Sequence, residues 1–276
     1  MKGILFIVAT PIGNLDDITF IAVEILKSVD IVLAEDTRHS KKLLLHLDIS
    51  KPIRAFHEHN ERKKTQTSID ELHSGKSIAL ISDAGTPLIN DPGYFLVAQA
   101  KKEGLRVVPI PGASALITAL SASGLASDSF TFLGFLPSKQ TARIKLLKTL
   151  LNKTETSIFY ESPKRILATL TDMLSIYGDN REVCLAKELT KVFETIQTDS
   201  IPNLIKYLTS DQSNQKGEFV ILISATDKID ITEVETQLDS LLPILCDEMG
   251  ASKAAKLAAK ITGIDKKQCY KRVIDL

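Results

Sequence analysis

The sequence predicts an α/β fold made of two α/β domains, one around a parallel sheet and one around a mixed sheet, followed by a small C-terminal helical extension. Three observations predict it. Short β-branched runs alternate with helical patterns over the first 110 residues, and a less regular series of apolar runs continues to residue 223. Beyond residue 232 only helical patterns occur. We therefore expect domains over residues 1–112, 113–226 and 232–276.

The first domain contains four apolar runs without alternation, which is typical of strands covered on both faces. A pattern with one apolar stripe follows the first run, and we expect Asp17 to cap that helix. Another helix is expected directly after Asp91-Pro92, because proline favours the first turn. Pro111-Gly112 interrupts the pattern and marks the boundary. The predicted strands are Ile4–Ala9, Ile31–Ala34, Ile78–Ile81 and Val107–Ile110.

The second domain repeats the theme with different connections. Two β runs near 183–187 and 192–198 lie close enough in sequence to form a hairpin, so this sheet is expected to be mixed. Ser162-Pro163 is expected to begin a helix with one apolar face. The predicted strands are Phe130–Phe135, Ser157–Tyr160, Val183–Ala186, Phe193–Thr195 and Phe219–Ile223.

The C-terminal extension separates its charges along the chain. Residues 227–250 carry a net charge of −6, whereas residues 251–276 carry +5. The basic part contains two short amphipathic helical patterns split at Thr262-Gly263. This is the outline of a helix-turn-helix with a basic face, as nucleic-acid-binding modules have. A helical cap with solvated lysines is the alternative.

Composition excludes several classes of protein. The 276 residues are 44% hydrophobic and 25% charged, the average of globular proteins. Basic and acidic residues balance at 34 each, so net charge does not indicate a nucleic-acid partner. The absence of Trp and the 5% of aromatic residues weaken the case for a surface on which bases stack.

Three cysteines without CxxC spacing indicate reduced thiols rather than a disulfide framework or a zinc site. The N-terminal apolar run ends at Thr10-Pro11 and is expected to be a buried strand, not a signal peptide. No stretch approaches the roughly 20 apolar residues of a membrane helix. We expect a cytoplasmic protein.

Four turn-rich segments follow the strands of the first domain: Thr10–Asn14, Glu35–Arg38, Ser82–Gly93 and Pro111–Ala115. The carboxyl ends of parallel strands are where open α/β sheets bind their ligands. The GxGxxG, GxxxxGK[ST] and GxSxG motifs are missing, which excludes the common dinucleotide, P-loop and hydrolase sites. His57-x-His59 lacks a third ligand at suitable spacing, so no metal is expected.

Seven ordered motifs together resemble one family. They are Val8–Thr19, Ala34–Arg38, Ser82–Gly93, Pro109–Leu120, Gly134–Pro137, Phe159–Pro163 and Ala186–Lys191. In this order they are similar to the ribosomal RNA small-subunit methyltransferase I family of the tetrapyrrole methylase superfamily. The similarity runs from about residue 4 to 224, and the helical tail resembles that family's C-terminal extension.

The resemblance implies an enzyme that uses S-adenosyl-L-methionine to methylate the 2′-hydroxyl of a cytidine ribose in 16S ribosomal RNA, in the decoding region. It implies a homodimer that acts on RNA, in the small ribosomal subunit, without a DNA or membrane partner. The superfamily's Gly-Asp-Pro corresponds to Gly85-Thr86-Pro87, so Thr86 replaces the acid. The implied cofactor contacts are Thr10, Pro11, Gly85, Thr86, Pro87, Ile89, Ser114, Ala115, Tyr160, Ala186 and Glu218.

Candidates for catalysis come from charges in these motifs, and candidates for RNA binding come mostly from charges outside them. Glu161 and Lys187 each lie where a predicted strand ends, and we expect one of them to accept the proton of the ribose hydroxyl. Arginine and lysine side chains match phosphate oxygens. The RNA-binding candidates are Arg38, Arg143, Arg165, Lys253, Lys256 and Lys271.

Two other functions stay open. An enzyme of the same fold could methylate a tetrapyrrole or a protein side chain, although the basic tail favours RNA. A non-catalytic RNA-binding assembly protein could keep the fold without binding the cofactor.

Overall fold

The structure is a computed structural model that describes residues 2–226, 231–262 and 264–274, with the backbone alone for 231–237. It comprises two compact units. The larger contains residues 1–151 and 155–224, and the smaller contains residues 152–154 and 225–276. Among the described residues, no helix is long and apolar enough to cross a membrane.

The larger unit begins with a five-stranded parallel sheet in the order β3-β2-β4-β1-β5. Its central strands β2 and β4 are buried at every residue, which confirms the prediction from their continuous apolar runs. The strands are β1 (Ile4–Val8), β2 (Ile31–Ala34), β3 (Ile53–Ala55), β4 (Ile78–Ile81) and β5 (Arg106–Ile110), and the helices between them are α1 (Phe20–Ser28), α2 (Thr37–His46), α3 (Glu61–His73) and α4 (Tyr94–Lys102).

Three helix starts in the larger unit differ from the prediction, and one of them is the helix expected at Ser162-Pro163, which begins at Ile166. Asp17 lies in a 3₁₀ turn, and α1 is capped instead by Thr19, whose Oγ1 accepts a hydrogen bond from the Ala22 N–H at 3.2 Å. Helix α4 begins after Gly93 rather than at Pro92, because Gly93 adopts a φ of 135°. The short strand β3 is also absent from the predicted elements, since an exposed Arg54 between two half-buried residues leaves almost no periodic signal.

The second sheet has the order β6-β7-β10-β8-β9. Strands β6 and β7 are parallel and the other pairs are antiparallel, which confirms the predicted mixed sheet. The predicted strand at Phe193–Thr195 is wrong, because Phe193 lies in an exposed turn and pairing begins at Thr195. The strands are β6 (Phe130–Phe135), β7 (Thr156–Glu161), β8 (Glu182–Lys187), β9 (Thr195–Ser200) and β10 (Phe219–Ile223), and the helices are α5 (Ala115–Ala122), α6 (Gln140–Thr149), α7 (Ile166–Tyr177) and α8 (Ile201–Ser210).

A hydrophobic cluster joins the two sheets within this unit. One face of the second sheet, with Ile158, Ala186 and Val220, packs against Leu116 of α5 and against Ile12 from the loop after β1. The opposite face packs separately under helices α7 and α8. The carboxyl-end loops of the first sheet are therefore held against one face of the second sheet.

The smaller unit contains α9 (Ile231–Glu248), α10 (Ala251–Thr262) and α11 (Lys266–Ile274). They share a core of Leu238, Leu242, Ala255, Ala258 and Cys269. Helices α10 and α11 confirm the two amphipathic helices expected in the basic part. Gly263, at the expected split, lies outside the described residues.

Arg143 does not lie on the surface, contrary to its assignment as an RNA contact. Its guanidinium joins α6 to α7 through an ion pair with Asp172 at 2.6 Å, and both side chains are only 5% exposed. It also donates to the backbone carbonyls of Pro137 and Ser138. Because its donors are used inside the protein, Arg143 supports the fold rather than an RNA phosphate. Sequence alone could not reveal a partner 29 residues away.

We expect Asp172→Asn to destabilise the protein, because it leaves the buried Arg143 guanidinium without an anion. Removing one member of a buried pair costs about 3–5 kcal/mol of stability. Because the asparagine amide can keep part of the hydrogen bonding, we expect a loss of about 3 kcal/mol, at the lower end of that range. A urea titration measures it. Arg38→Gln is the control, since the Arg38–Asp36 pair is exposed and should contribute little. Equal midpoints for both variants would contradict the structural role of the buried pair.

Candidate active site

A cavity of about 450 Å³ opens between the two sheets of the larger unit. Its volume lies within the usual range for small-molecule sites. The first sheet contributes the loops after β1, β4 and β5, and the second contributes β7, β10 and the end of β6. The lining residues are Ile12, Asp83–Thr86, Ile89–Asp91, Ser114, Ala115, Phe135, Tyr160–Pro163, Leu189 and Glu218–Val220.

The loop after β4 is fixed to the loop after β1 by the backbone. The Thr10 N–H donates to the Gly85 carbonyl at 2.9 Å, and the Gly85 N–H donates back to Thr10 at 3.0 Å. The Thr10 hydroxyl also donates to the carbonyl of Ser82 at 3.2 Å. Gly85 has a φ of 79°, which glycine adopts without strain, whereas Leu88 and Asn90 adopt φ values of 72° and 68° at a cost. The site wall is therefore a rigid, partly strained turn.

Seven of the eleven predicted cofactor contacts line this cavity: Gly85, Thr86, Ile89, Ser114, Ala115, Tyr160 and Glu218. Thr86 also donates its hydroxyl hydrogen bond to the Ala113 carbonyl at 2.9 Å, which links two of the loops. The other four are Thr10, Pro11, Pro87 and Ala186, which are buried behind the lining. Any part they take in binding would come through holding the lining residues in place.

The motif-based selection missed several lining residues. Asp83, Asn90 and Asp91 belong to the loop that the sequence identifies, but they lie outside the Gly85-Thr86-Pro87 tripeptide. Phe135 belongs to the motif Gly134–Pro137, but no role is predicted for this residue from the sequence. The available signal was chemical, since acids in a loop at the carboxyl end of a central strand face the ligand side of the sheet.

Carboxylates crowd the edge of the cavity. Burial, followed by repulsion from Asp91, Asp83, Asp36 and Glu58, raises the pKa of Glu35 to about 7. Burial also raises the pKa of Asp91. Hydrogen bonds from Arg38 hold the pKa of Asp36 below its ordinary value. No group of His, Cys, Asp or Glu among the described residues could hold a metal ion. This edge of the site is suited to a cationic ligand.

Glu161 lines the cavity, but its carboxylate already accepts several hydrogen bonds. Oε1 accepts from the Ser162 N–H at 2.7 Å and from Arg165 Nε at 2.8 Å, and Oε2 accepts from the Thr169 hydroxyl at 2.7 Å. Arg165 Nη2 completes an ion pair at 2.6 Å. This arrangement holds Arg165 in one orientation and favours a positioning role for Glu161.

Lys187 lies farther from the cavity than its sequence position suggests. The side chain is buried, and its ammonium donates to the Ser213 carbonyl at 2.8 Å. It is not among the lining residues. Arg38, by contrast, has an 88% exposed side chain beside Asp36.

The titration of Glu35 predicts a measurable pH dependence of stability. Between its ordinary pKa of 4.5 and the raised value of about 7, the folded protein binds more protons than the unfolded chain. The free energy of unfolding should therefore contain a contribution that decreases as pH rises through this window. Glu35→Gln should remove that decrease.

Unfolding in urea at several pH values between 4.5 and 8 measures the effect. Glu24→Gln, on the exposed face of α1, is the matched control and should keep the wild-type slope. The same slope in Glu35→Gln and wild type would contradict the raised pKa.

Comparison with known proteins identifies the family. The tetrapyrrole (corrin/porphyrin) methylases match residues 5–205, and the RsmI C-terminal HTH domain matches residues 232–276. The ribosomal RNA small subunit methyltransferase I of Vibrio cholerae is 51% identical over 97% of this chain and 93% of that protein. Its Escherichia coli O157:H7 counterpart is 46% identical over 99% of this chain and 96% of that protein.

Two solved structures share the fold at low sequence identity. A cobalt precorrin-4 methyltransferase of cobalamin biosynthesis superposes with a TM-score of 0.59 at 18% identity, covering 80% of this chain and 94% of that one. Diphthine synthase superposes with a TM-score of 0.60 at 13% identity, covering 80% and 90%. These likenesses show the fold alone, whereas the relatives at 46–51% identity and the two family matches confirm the resemblance drawn from the seven motifs: the chain belongs to the ribosomal RNA small subunit methyltransferase I family of the tetrapyrrole methylases.

Proposed function

We propose that this protein transfers a methyl group from S-adenosyl-L-methionine to the 2′-hydroxyl of a cytidine ribose in the decoding region of 16S ribosomal RNA. One observation carries the proposal: identity of 46–51% to ribosomal RNA small subunit methyltransferases I spans both the cavity-bearing unit and the helical tail. A tetrapyrrole or protein methylase of this fold is the weaker alternative, because residues 232–276 match the C-terminal domain of the RsmI family.

The cavity fits the methyl donor in size and chemistry. S-adenosyl-L-methionine supplies, when bound, a methyl group on a positively charged sulfonium whose sulfur is a good leaving group. Asp83, Asp91 and Glu218 provide negative charge around the cavity. A Cβ atom on Gly134 would lie 2.6 Å from Oδ1 of the lining residue Asn90, so glycine at this position lets that side chain keep its place beside the cavity. The apolar lining is suited to an aromatic heterocycle.

The protein's own contribution is alignment. The backbone bridge at Thr10 and the hydroxyl of Thr86 hold the lining loops in one conformation. A fixed near-attack geometry can contribute about 7–11 kcal/mol in favourable cases. Glu161 and Lys187 stay the proposed acceptors of the hydroxyl proton, a role that typically contributes about 10²–10⁴-fold. Each would first have to release the hydrogen bonds that now hold it.

We expect Gly134→Ala to weaken binding of S-adenosyl-L-methionine about tenfold or more, because the new methyl group displaces Asn90. Calorimetric titration measures the Kd. Gly124→Ala is a matched control, since Gly124 has a φ of 73° against 68° at Gly134 but no atom within 4 Å of the added Cβ. The positive φ is therefore common to both variants. Equal weakening in the two would contradict the proposed position of the donor.

The helical tail offers an electrostatic surface for RNA. Lys253, Lys256 and Lys271 are exposed, and Lys253 and Lys256 lie one turn apart on α10. Arg38 and Arg165 are proposed as further RNA contacts from the larger unit. Contacts of this kind make binding strongly dependent on salt, because each neutralised phosphate releases counterions.

The test of the proposed function is methyl transfer from radiolabelled S-adenosyl-L-methionine to small ribosomal subunits that lack the modification. We expect label on one cytidine ribose, read by nuclease digestion. Lys253→Glu/Lys256→Glu/Lys271→Glu should raise the KM for subunits and flatten its salt dependence by about 0.7–0.9 log units per log unit of salt for each lost contact.

Lys27→Glu/Lys101→Glu/Lys102→Glu is the control, since it changes three exposed lysines and the net charge equally. An equal rise in KM for both triple variants would remove the tail from RNA binding. Failure of wild-type protein to label subunits, or label on protein alone, would contradict the proposed function.

We also propose that the protein is a homodimer and acts in the cytoplasm. Two grooves that share Leu15, Asp16 and His46 place the highly exposed Phe20 and Val192 on one surface. Exposed apolar surface of this kind is typical of protein interfaces. All three cysteines are free thiols, which agrees with a reducing compartment.

A further inference from the structure

Phe135 combines exposure with a place in the cavity. Half of the residue's surface is open to solvent, yet it lines the site. It belongs to the motif Gly134-Phe135-Leu136-Pro137. This motif has no role in the proposed positioning of the methyl donor. A large aromatic side chain left in water at the mouth of a site is available to a second ligand.

A β-bulge turns Phe135 toward the cavity. Phe132 pairs with Ile158 on the neighbouring strand, and Phe135 pairs with Tyr160, so three steps on β6 match two on β7. Side chains alternate along a strand, and one extra residue reverses the face of everything after it. Phe132, Phe135 and Tyr160 therefore share one face, while Leu133 packs into the core on the other. Gly134 supplies the φ of 68° that the bulge requires.

Aromatic contacts hold the Phe135 ring from behind. Phe135 lies edge-to-face against Tyr160, with ring centroids 5.7 Å apart at 65°. Tyr160 in turn lies edge-to-face against Phe132, at 4.8 Å and 61°. Tyr160 and Phe132 are part of the cluster that joins the sheets. The exposed surface of Phe135 is thus presented by a rigid support, which lowers the entropic cost of stacking a ligand on it.

We propose that Phe135 stacks against the base of the target nucleotide as its ribose enters the cavity. The inference rests on the proposed function and names the group that positions the RNA. Proteins recognise unpaired RNA bases by stacking them on aromatic side chains. A small-molecule ligand is usually buried by 70–90% or more, so a ring half open to solvent faces the reactant that enters second.

A charged group beside the same wall supports an RNA ligand. Arg165, whose side chain is 25% exposed, is fixed by the buried carboxylate of Glu161, which itself lines the cavity. A planar guanidinium held in this way is suited to a phosphate. An aromatic ring for the base and a guanidinium for the backbone are complementary to one nucleotide of a single strand.

The test compares Phe135→Leu, Phe135→Tyr and Phe130→Leu. Phe130 is a matched control, since it is a 39% exposed phenylalanine on the same strand before the bulge and outside the lining. For each variant, calorimetry gives the Kd for S-adenosyl-L-methionine, and methylation of small subunits gives KM and kcat. Thermal unfolding checks that each variant is folded.

We expect Phe135→Leu to raise the KM for subunits by about 5- to 150-fold, the range for loss of one base–aromatic stack. Its Kd for the methyl donor should stay at the wild-type value. Phe135→Tyr should restore the KM because it keeps the ring, and Phe130→Leu should match wild type.

Two results would overturn the inference while leaving the proposed function intact. A weakened Kd for S-adenosyl-L-methionine in Phe135→Leu would mean that the ring holds the adenine of the donor. An unchanged KM in Phe135→Leu, with active wild type, would mean that no base stacks there. Absence of methyl transfer by the wild type itself would instead contradict the proposed function and this inference together.

Discussion

The site depends on the two hydrogen bonds that Thr10 and Gly85 exchange. They join the loops that follow two neighbouring parallel strands, β1 and β4, and so turn two separate turns into one wall. Two residues beyond Thr10, Ile12 packs into the second sheet. The bridge therefore fixes the shape of the cavity and also the point at which the two sheets meet. Glycine suits position 85 because its φ of 79° is one that other residues adopt only with strain.

Much of the fold follows from hydrophobic pattern alone. Strands β2 and β4 were predictable because every residue is buried, which produces a continuous apolar run. The mixed character of the second sheet followed from the short spacing between β8 and β9. The errors have local causes: a glycine with positive φ delays α4, and a threonine rather than an aspartate caps α1.

The site was harder to predict than the fold. The ligand-bearing loops could be located from their position after parallel strands, but not which of their side chains face inward. Arg143 looked like a surface cation because its partner Asp172 lies on another helix. The low aromatic content argued against base stacking, yet such content describes the whole chain. The aromatic content of the whole chain does not reveal a single ring that a bulge orients. The extra residue in β6 also leaves no signal in the hydrophobic pattern.

Charge is divided by role within a chain whose formal net charge is zero. Carboxylates gather at the cavity, where Glu35 and Asp91 repel one another strongly enough to contribute to the raised pKa of Glu35. Exposed lysines gather on the tail helices. Under the proposed function, this division favours the cationic methyl donor in the pocket and RNA phosphates at the tail.

The bulge in β6 also decides on which face of the sheet Phe135 lies. If the same residues paired regularly with β7, Phe135 would lie three positions after Phe132 and would therefore face the hydrophobic core on the opposite side. An alignment gap placed one position away would therefore compare residues that face water with residues that face the core. In this strand, equivalent side chains in two proteins are those that lie on the same face of the sheet. A transfer of the segment into another protein must include Gly134.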